Sequence, residues 1–173
     1  MKAISDATAL IHLSRIGKIH YLKKLFESVI IPVEVYEEVV IKGKALGKKD
    51  TVLIENLVSE NFIQVKKASS RSEMRGLHLG EIRAIALCSK LKVKTLIIDE
   101  KEGYEAAKLM GLNPLRTTAL LLKLLVKKII NFAEYKESLL ALSETGYFLG
   151  AKTYESLLEK GKKLQKSNAI KRP

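Results

Sequence analysis

Short apolar runs alternate with stretches in which apolar residues recur every three to four positions, and the alternation runs through most of the chain. Lys2–Ser5, Val29-Ile30-Ile31, Phe62–Val65 and Thr95–Ile98 read as strands, with a short fifth strand at Leu115-Arg116. The Thr95–Ile98 strand is apolar apart from its first residue, as expected where both sheet faces are covered. Helical periodicity predicts helices over Ala7–Ser14, Lys18–Phe26, Val52–Val58, Leu79–Leu91, Glu102–Met110 and Thr118–Ile130. Pro32 suits the first turn of a further helix whose apolar stripe is Val35, Tyr36, Val39 and Val40. The basic, glycine-containing stretch 42–49 reads as a loop, and Phe132–Ser143 and Thr153–Leu164 as two closing helices. Strands alternating with helices at this spacing predict an α/β fold with a parallel sheet covered on both faces. The pattern leaves strand order open.

Length and composition narrow the class. A chain of 173 residues fits one main domain with a sizeable core. The single cysteine, Cys88, rules out an intrachain disulfide framework and suits a reducing, cytoplasmic setting. The longest apolar stretch, Ala119 to Ile130, is interrupted by Lys123, Lys127 and Lys128 and is too short to span a membrane. We read no signal peptide at the start. The net charge of +12 implies a polyanionic partner, nucleic acid before an anionic membrane. Half of that charge lies in the segment Lys160–Pro173, which holds six basic residues and no acid. Lysine outnumbers arginine 25 to 6, a bias reported for hyperthermophiles.

The candidate chemistry is carboxylate chemistry. In open parallel sheets, ligands bind outside the carboxyl ends of the strands. Asp6 follows the first predicted strand, and Asp99 and Glu100 follow Thr95–Ile98. Each also stands where an aspartate would cap a helix. Glu81 shares a helix side with Ala84, Ile85 and Cys88, while Arg83 and Lys90 lie almost opposite, so it faces the apolar side. A carboxylate there needs partners. Glu34, Glu37 and Glu38 occupy the helix after Pro32; Glu37 and Glu38 flank its apolar stripe about symmetrically, and periodicity does not choose between them. Two such charges ~5 Å apart at an effective dielectric near 20 repel by ~3 kcal/mol, so three or four together require a cation. All-oxygen ligation suits Mg²⁺ or Mn²⁺ rather than zinc, and the scattered His12, His20 and His78 agree. An acidic metal site on a basic protein points to phosphodiester chemistry.

Four segments in this order resemble the PIN-domain family, and more closely its compact prokaryotic branch near the VapC-type toxin ribonucleases. They are Ile4-Ser5-Asp6-Ala7-Thr8-Ala9-Leu10-Ile11, Ile31-Pro32-Val33-Glu34-Val35-Tyr36-Glu37-Glu38-Val39, Leu79-Gly80-Glu81-Ile82-Arg83-Ala84-Ile85-Ala86-Leu87 and Leu96-Ile97-Ile98-Asp99-Glu100, the last continuing through Ala106–Leu112. The resemblance implies a three-layer α/β/α sandwich with about five parallel strands, and RNA cleavage with Mg²⁺ or Mn²⁺. By motif it assigns the acids, catalytic and metal-holding alike, to Asp6, Glu38, Glu81 and Asp99, with Glu100 a close rival of Asp99 and Thr8 supporting the first acid. It places the nuclease domain at 1–130, closing helices at 131–165 and a basic tail at 166–173. RNA is the implied substrate, a small antitoxin protein the implied partner of a toxin, and a homodimer the expected assembly. The chain departs from many relatives in having Glu81 where they have aspartate. Ile97 and Ile98 also stand where a Thr or Ser commonly precedes the fourth acid. An alternative reading is therefore a PIN-like RNA-binding module with weakened or lost catalysis. A receiver-like or phosphatase domain also groups acids at strand ends, but no lysine after a late strand and no early acidic pair supports it.

Overall fold

The computed structural model describes residues 1–68 and 76–170, with side chains to 165. Lys171, Arg172 and the side chain of Lys166 in the expected basic tail therefore lie outside the described residues. The chain divides into two compact units, Met1–Thr117 and Thr118–Pro173.

The first unit is built on five parallel strands: β1 (Lys2–Ser5), β2 (Ser28–Pro32), β3 (Ile63–Lys66), β4 (Thr95–Ile97) and β5 (Asn113–Leu115). They lie in the order β3-β2-β1-β4-β5. The chain winds outward from β1 to β3, then crosses back to place β4 on the other side of β1. The β1–β4 boundary is thus the topological switch point, where open α/β sheets form their ligand crevice. Ile4 pairs with Leu96 and Ser5 with Ile97 across that boundary. The Asp6 amide donates to the Ile97 carbonyl at 3.0 Å, so the chain leaves β1 beside the end of β4.

The three-layer α/β/α arrangement follows from strands buried on both faces. Ile4, Ile30, Leu96 and Ile98 form one core with Ala84, Ile85 and Cys88 of the helix Leu79–Leu91. Their strand neighbours Ala3, Val29, Ile31 and Ile97 point the other way and are equally buried. The helices Ala7–Arg15 and Asp50–Ser59 pack on one another. Burial pushes the Cys88 thiol up to about 12, so it carries no reactive thiolate at neutral pH.

Several bounds differ from the sequence pattern: β5 runs Asn113–Leu115 rather than Leu115-Arg116, the stretch Lys18–Phe26 splits into Ile19–Tyr21 and Leu22–Leu25, and the helix expected over Thr118–Ile130 runs Thr117–Val126. Pro32 ends β2 in extended conformation, and the helix begins at Val33. That helix runs Val33–Tyr36, widens into a π-helical segment over Glu37–Lys42, and tightens again over Gly43–Ala45. Residues 42–45 are therefore helical rather than loop. The widening is stabilised from outside: Thr51 donates its hydroxyl to the Val39 carbonyl at 3.2 Å. A Cβ on Gly43 would collide with that same hydroxyl.

In the second unit, Asn131 caps the helix Phe132–Glu144 by accepting from the Glu134 amide at 2.9 Å. The buried Tyr135 donates its hydroxyl to the Leu157 carbonyl in the helix Ala151–Ile170. Gly161 permits this approach, since a Cβ there would lie 2.8 Å from the tyrosine ring. No helix among the described residues is long and apolar enough to cross a membrane.

Candidate active site

A cavity of about 430 Å³ opens in the first unit, lined by six carboxylates: Asp6, Glu34, Glu37, Glu38, Glu81 and Glu100. Thr8, Lys42 and His78 share the lining. Three of the four acids assigned from the sequence thus meet around one space. The fourth, Asp99, is not on the cavity wall; its neighbour Glu100 is.

Asp6 performs two tasks with its two oxygens. Oδ1 caps the first helix, accepting from the Ala9 amide at 3.0 Å. Oδ2 is buried without a hydrogen-bond partner. Burial raises the Asp6 pKa well above the usual carboxylate range; the nearby charge of Asp99 adds to this, and that of Glu81 contributes less.

Glu81 divides its carboxylate in the same way. Oε2 accepts from the His78 amide at 2.7 Å, closing the first turn of its helix, and Oε1 is buried without a partner. Capping and inward orientation thus coexist. Burial raises its pKa, opposed by the His78 amide. Gly103, in the helix Lys101–Leu109, holds this position open. A Cβ there would lie 2.5 Å from Glu81 Oε1 and would also strike Ile98.

Asp99 is fixed from the far side. The Thr117 amide donates to Oδ1 and the Thr117 hydroxyl to Oδ2, each at 2.7 Å. Burial still raises its pKa to about 6, against the lowering effect of Thr117. Thr117→Val keeps shape and removes the hydroxyl bond. It should raise the Asp99 pKa further and cost about 1.5–3 kcal/mol at pH 7, where Asp99 is ionised, with a smaller cost at pH 4. Thermal melts at the two pH values check this.

Glu37 and Glu38 are both exposed on the wall, and the π-helical winding brings both to the cavity. Glu34 differs: Arg83 pairs with its Oε1 at 3.1 Å, while Oε2 is buried without a hydrogen-bond partner. Among the described residues, no three His, Cys, Asp or Glu side chains stand close enough to grip one ion.

Gly103 and Thr117 escaped the sequence reading, whereas Lys42 was noted there as part of the basic stretch 42–49. A glycine inside a predicted helix costs about 1 kcal/mol relative to alanine, and that cost was the available signal for Gly103. Thr117 carried none, because its role depends on what the fold sets opposite it.

A PIN-domain family model matches residues 2–163. The chain belongs to the PIN-domain family, whose members are generally nucleases. Among solved structures, it is similar to a PilT N-terminus domain protein from the hyperthermophilic archaeon Sulfolobus solfataricus P2, at 18% identity and a TM-score of 0.49, covering 68% of this chain and 87% of that one. It is also similar to a domain of a functionally unknown protein from Methanocaldococcus jannaschii DSM 2661, at 19% identity and a TM-score of 0.45, covering 66% and 89%. No curated protein matches the chain.

Proposed function

We propose that this protein is a Mg²⁺- or Mn²⁺-dependent endonuclease that hydrolyses phosphodiester bonds of RNA. The supporting observation is the pair Asp6 Oδ2 and Glu81 Oε1, two buried carboxylate oxygens without partners, from residues that line one cavity. Such atoms are costly unless a cation or donor satisfies them, and an all-oxygen set suits a hard divalent ion. Asp6, Glu38 and Glu81 would hold it. Asp99, pinned by Thr117 and acting on Asp6 through its charge, is the fourth acid, and Glu100 its rival on the wall. When bound, the ion neutralises phosphate charge and lowers the pKa of water.

The remaining work falls to the chain. Exposed carboxylates on the wall, Glu37 and Glu100, would take the proton that the attacking water loses. The water oxygen bonds to phosphorus, the bond to the leaving ribose oxygen breaks, and that oxygen takes a proton from bulk water. The net charge of +12 holds the rest of the RNA backbone.

A second reading, RNA binding without cleavage, draws on Ile97 and Ile98, which stand where a Thr or Ser commonly precedes the fourth acid. One experiment separates the two: a single-stranded RNA pool incubated with protein and Mg²⁺ or Mn²⁺, with and without EDTA, beside thermal melts. The ribonuclease reading expects cleavage only with metal. It also expects about 2.7 kcal/mol of added stability when free Mn²⁺ is a hundredfold above its Kd. RNA bound but uncut supports the second reading, and cleavage persisting in EDTA refutes the metal mechanism. Carried further along the VapC resemblance, a toxin role expects growth arrest when the wild-type chain is expressed and none with Asp6→Asn.

A further inference from the structure

Among the described residues, Lys42 is the only lysine or arginine lining the carboxylate cavity. It is exposed, and its ammonium makes no ion pair or hydrogen bond among the described residues. That is unexpected beside so many acids. Glu38 and Lys42 are four residues apart, the spacing at which a regular helix pairs opposite charges. The π-helical winding over Glu37–Lys42 alters that relation, and the two do not pair. Lys44, two residues on, is instead paired with Glu55 at 2.5 Å. The backbone under Lys42 is fixed by the bond from Thr51 to Val39 and by the close seat of Gly43. A long cation without a partner among the described residues therefore projects from a clamped segment at a cavity lined by six carboxylates.

We propose that Lys42 holds the RNA phosphate at this cavity, a substrate-binding residue set in place by the π-helical segment. This rests on the ribonuclease reading, and it supplies an attractive group in an acidic cavity, independent of the ion. An ammonium acts here as a point charge on phosphate oxygens.

The test compares Lys42→Met, Lys42→Arg and Lys94→Met. Lys94 is also exposed but precedes β4, at the opposite end of the strand from the acids. Steady-state cleavage with Mn²⁺ is measured for each. Anisotropy of a labelled single-stranded RNA is measured across a salt series in the non-cleaving Asp6→Asn background. Lys42→Met should lower kcat/KM about tenfold or more, chiefly through KM, and reduce the log–log salt slope by about 0.7. Lys42→Arg should restore both to within about threefold, and Lys94→Met should leave kcat/KM within about twofold. Unchanged melting temperatures exclude misfolding. If Lys42→Met matches wild type in cleavage and binding, the proposal is overturned while the ribonuclease reading stands. If it tightens Mn²⁺ binding without weakening RNA, Lys42 is an internal counterion and the proposal is likewise overturned. A wild-type protein that cuts no RNA overturns both.

Discussion

Asp6→Asn should lower RNA cleavage about a thousandfold while leaving a folded protein that is more stable than wild type in the absence of metal. Asparagine retains Oδ1, so the cap on the Ala9 amide survives. What is lost is one charge at the unpartnered Oδ2. That weakens the hold on the ion, and with it the activation of water. RNA affinity should hold or tighten, because an anion has left a cavity that must admit phosphate. The stability gain has a definite pH window. An acid whose pKa is raised by folding stays protonated in the native state after the unfolded chain has lost its proton. Stability therefore falls as pH rises, from about 4 through the folded value, which for Asp99 is about 6. Asp6 and Glu81 act in the same direction. His12, whose pKa burial lowers, acts in the opposite direction below 6.5. The informative quantity is the melting temperature of Asp6→Asn minus that of wild type in EDTA: it should be small at pH 4 and grow positive by pH 7. A variant that cuts at full rate would reduce Asp6 to a helix cap.

Gly103→Ala should cost about a hundredfold in cleavage with only a modest loss of stability. Alanine is worth about 1 kcal/mol over glycine inside a helix, but overpacking costs about 1–3 kcal/mol, so the two largely offset. The added methyl group would lie 2.5 Å from Glu81 Oε1, and the carboxylate must yield. Displacing a reactive group by about 1 Å is enough for a hundredfold loss. Glu81→Gln, which keeps its place and loses its charge, should show a similar activity deficit without the packing strain. Melts and cleavage rates of both variants check this; a Gly103→Ala enzyme of wild-type activity would mean that Glu81 Oε1 has no part in the chemistry.

Much of the fold was legible because its signals are local. Lys2–Ser5 and Leu79–Leu91 have the bounds that periodicity predicts, since burial on both sheet faces and on one helix side leaves a pattern in neighbouring residues. The inward direction of Glu81 was legible for the same reason, and its 4% exposure accords with it. The choice between Glu37 and Glu38 was not, because a period of 3.6 cannot anticipate a segment wound with an i→i+5 ladder and held by Thr51, twelve residues beyond Val39.

By itself, then, the sequence determined the strands and helices, the inward face carrying Glu81 and the acids at the ends of β1 and β4. The tertiary structure alone decided the strand order that sets Asp6 beside Asp99, the bonds that tie Asp99 to Thr117, and the glycine that leaves room for Glu81. Each of these joins residues far apart in the chain, through contacts that periodicity along one element does not encode.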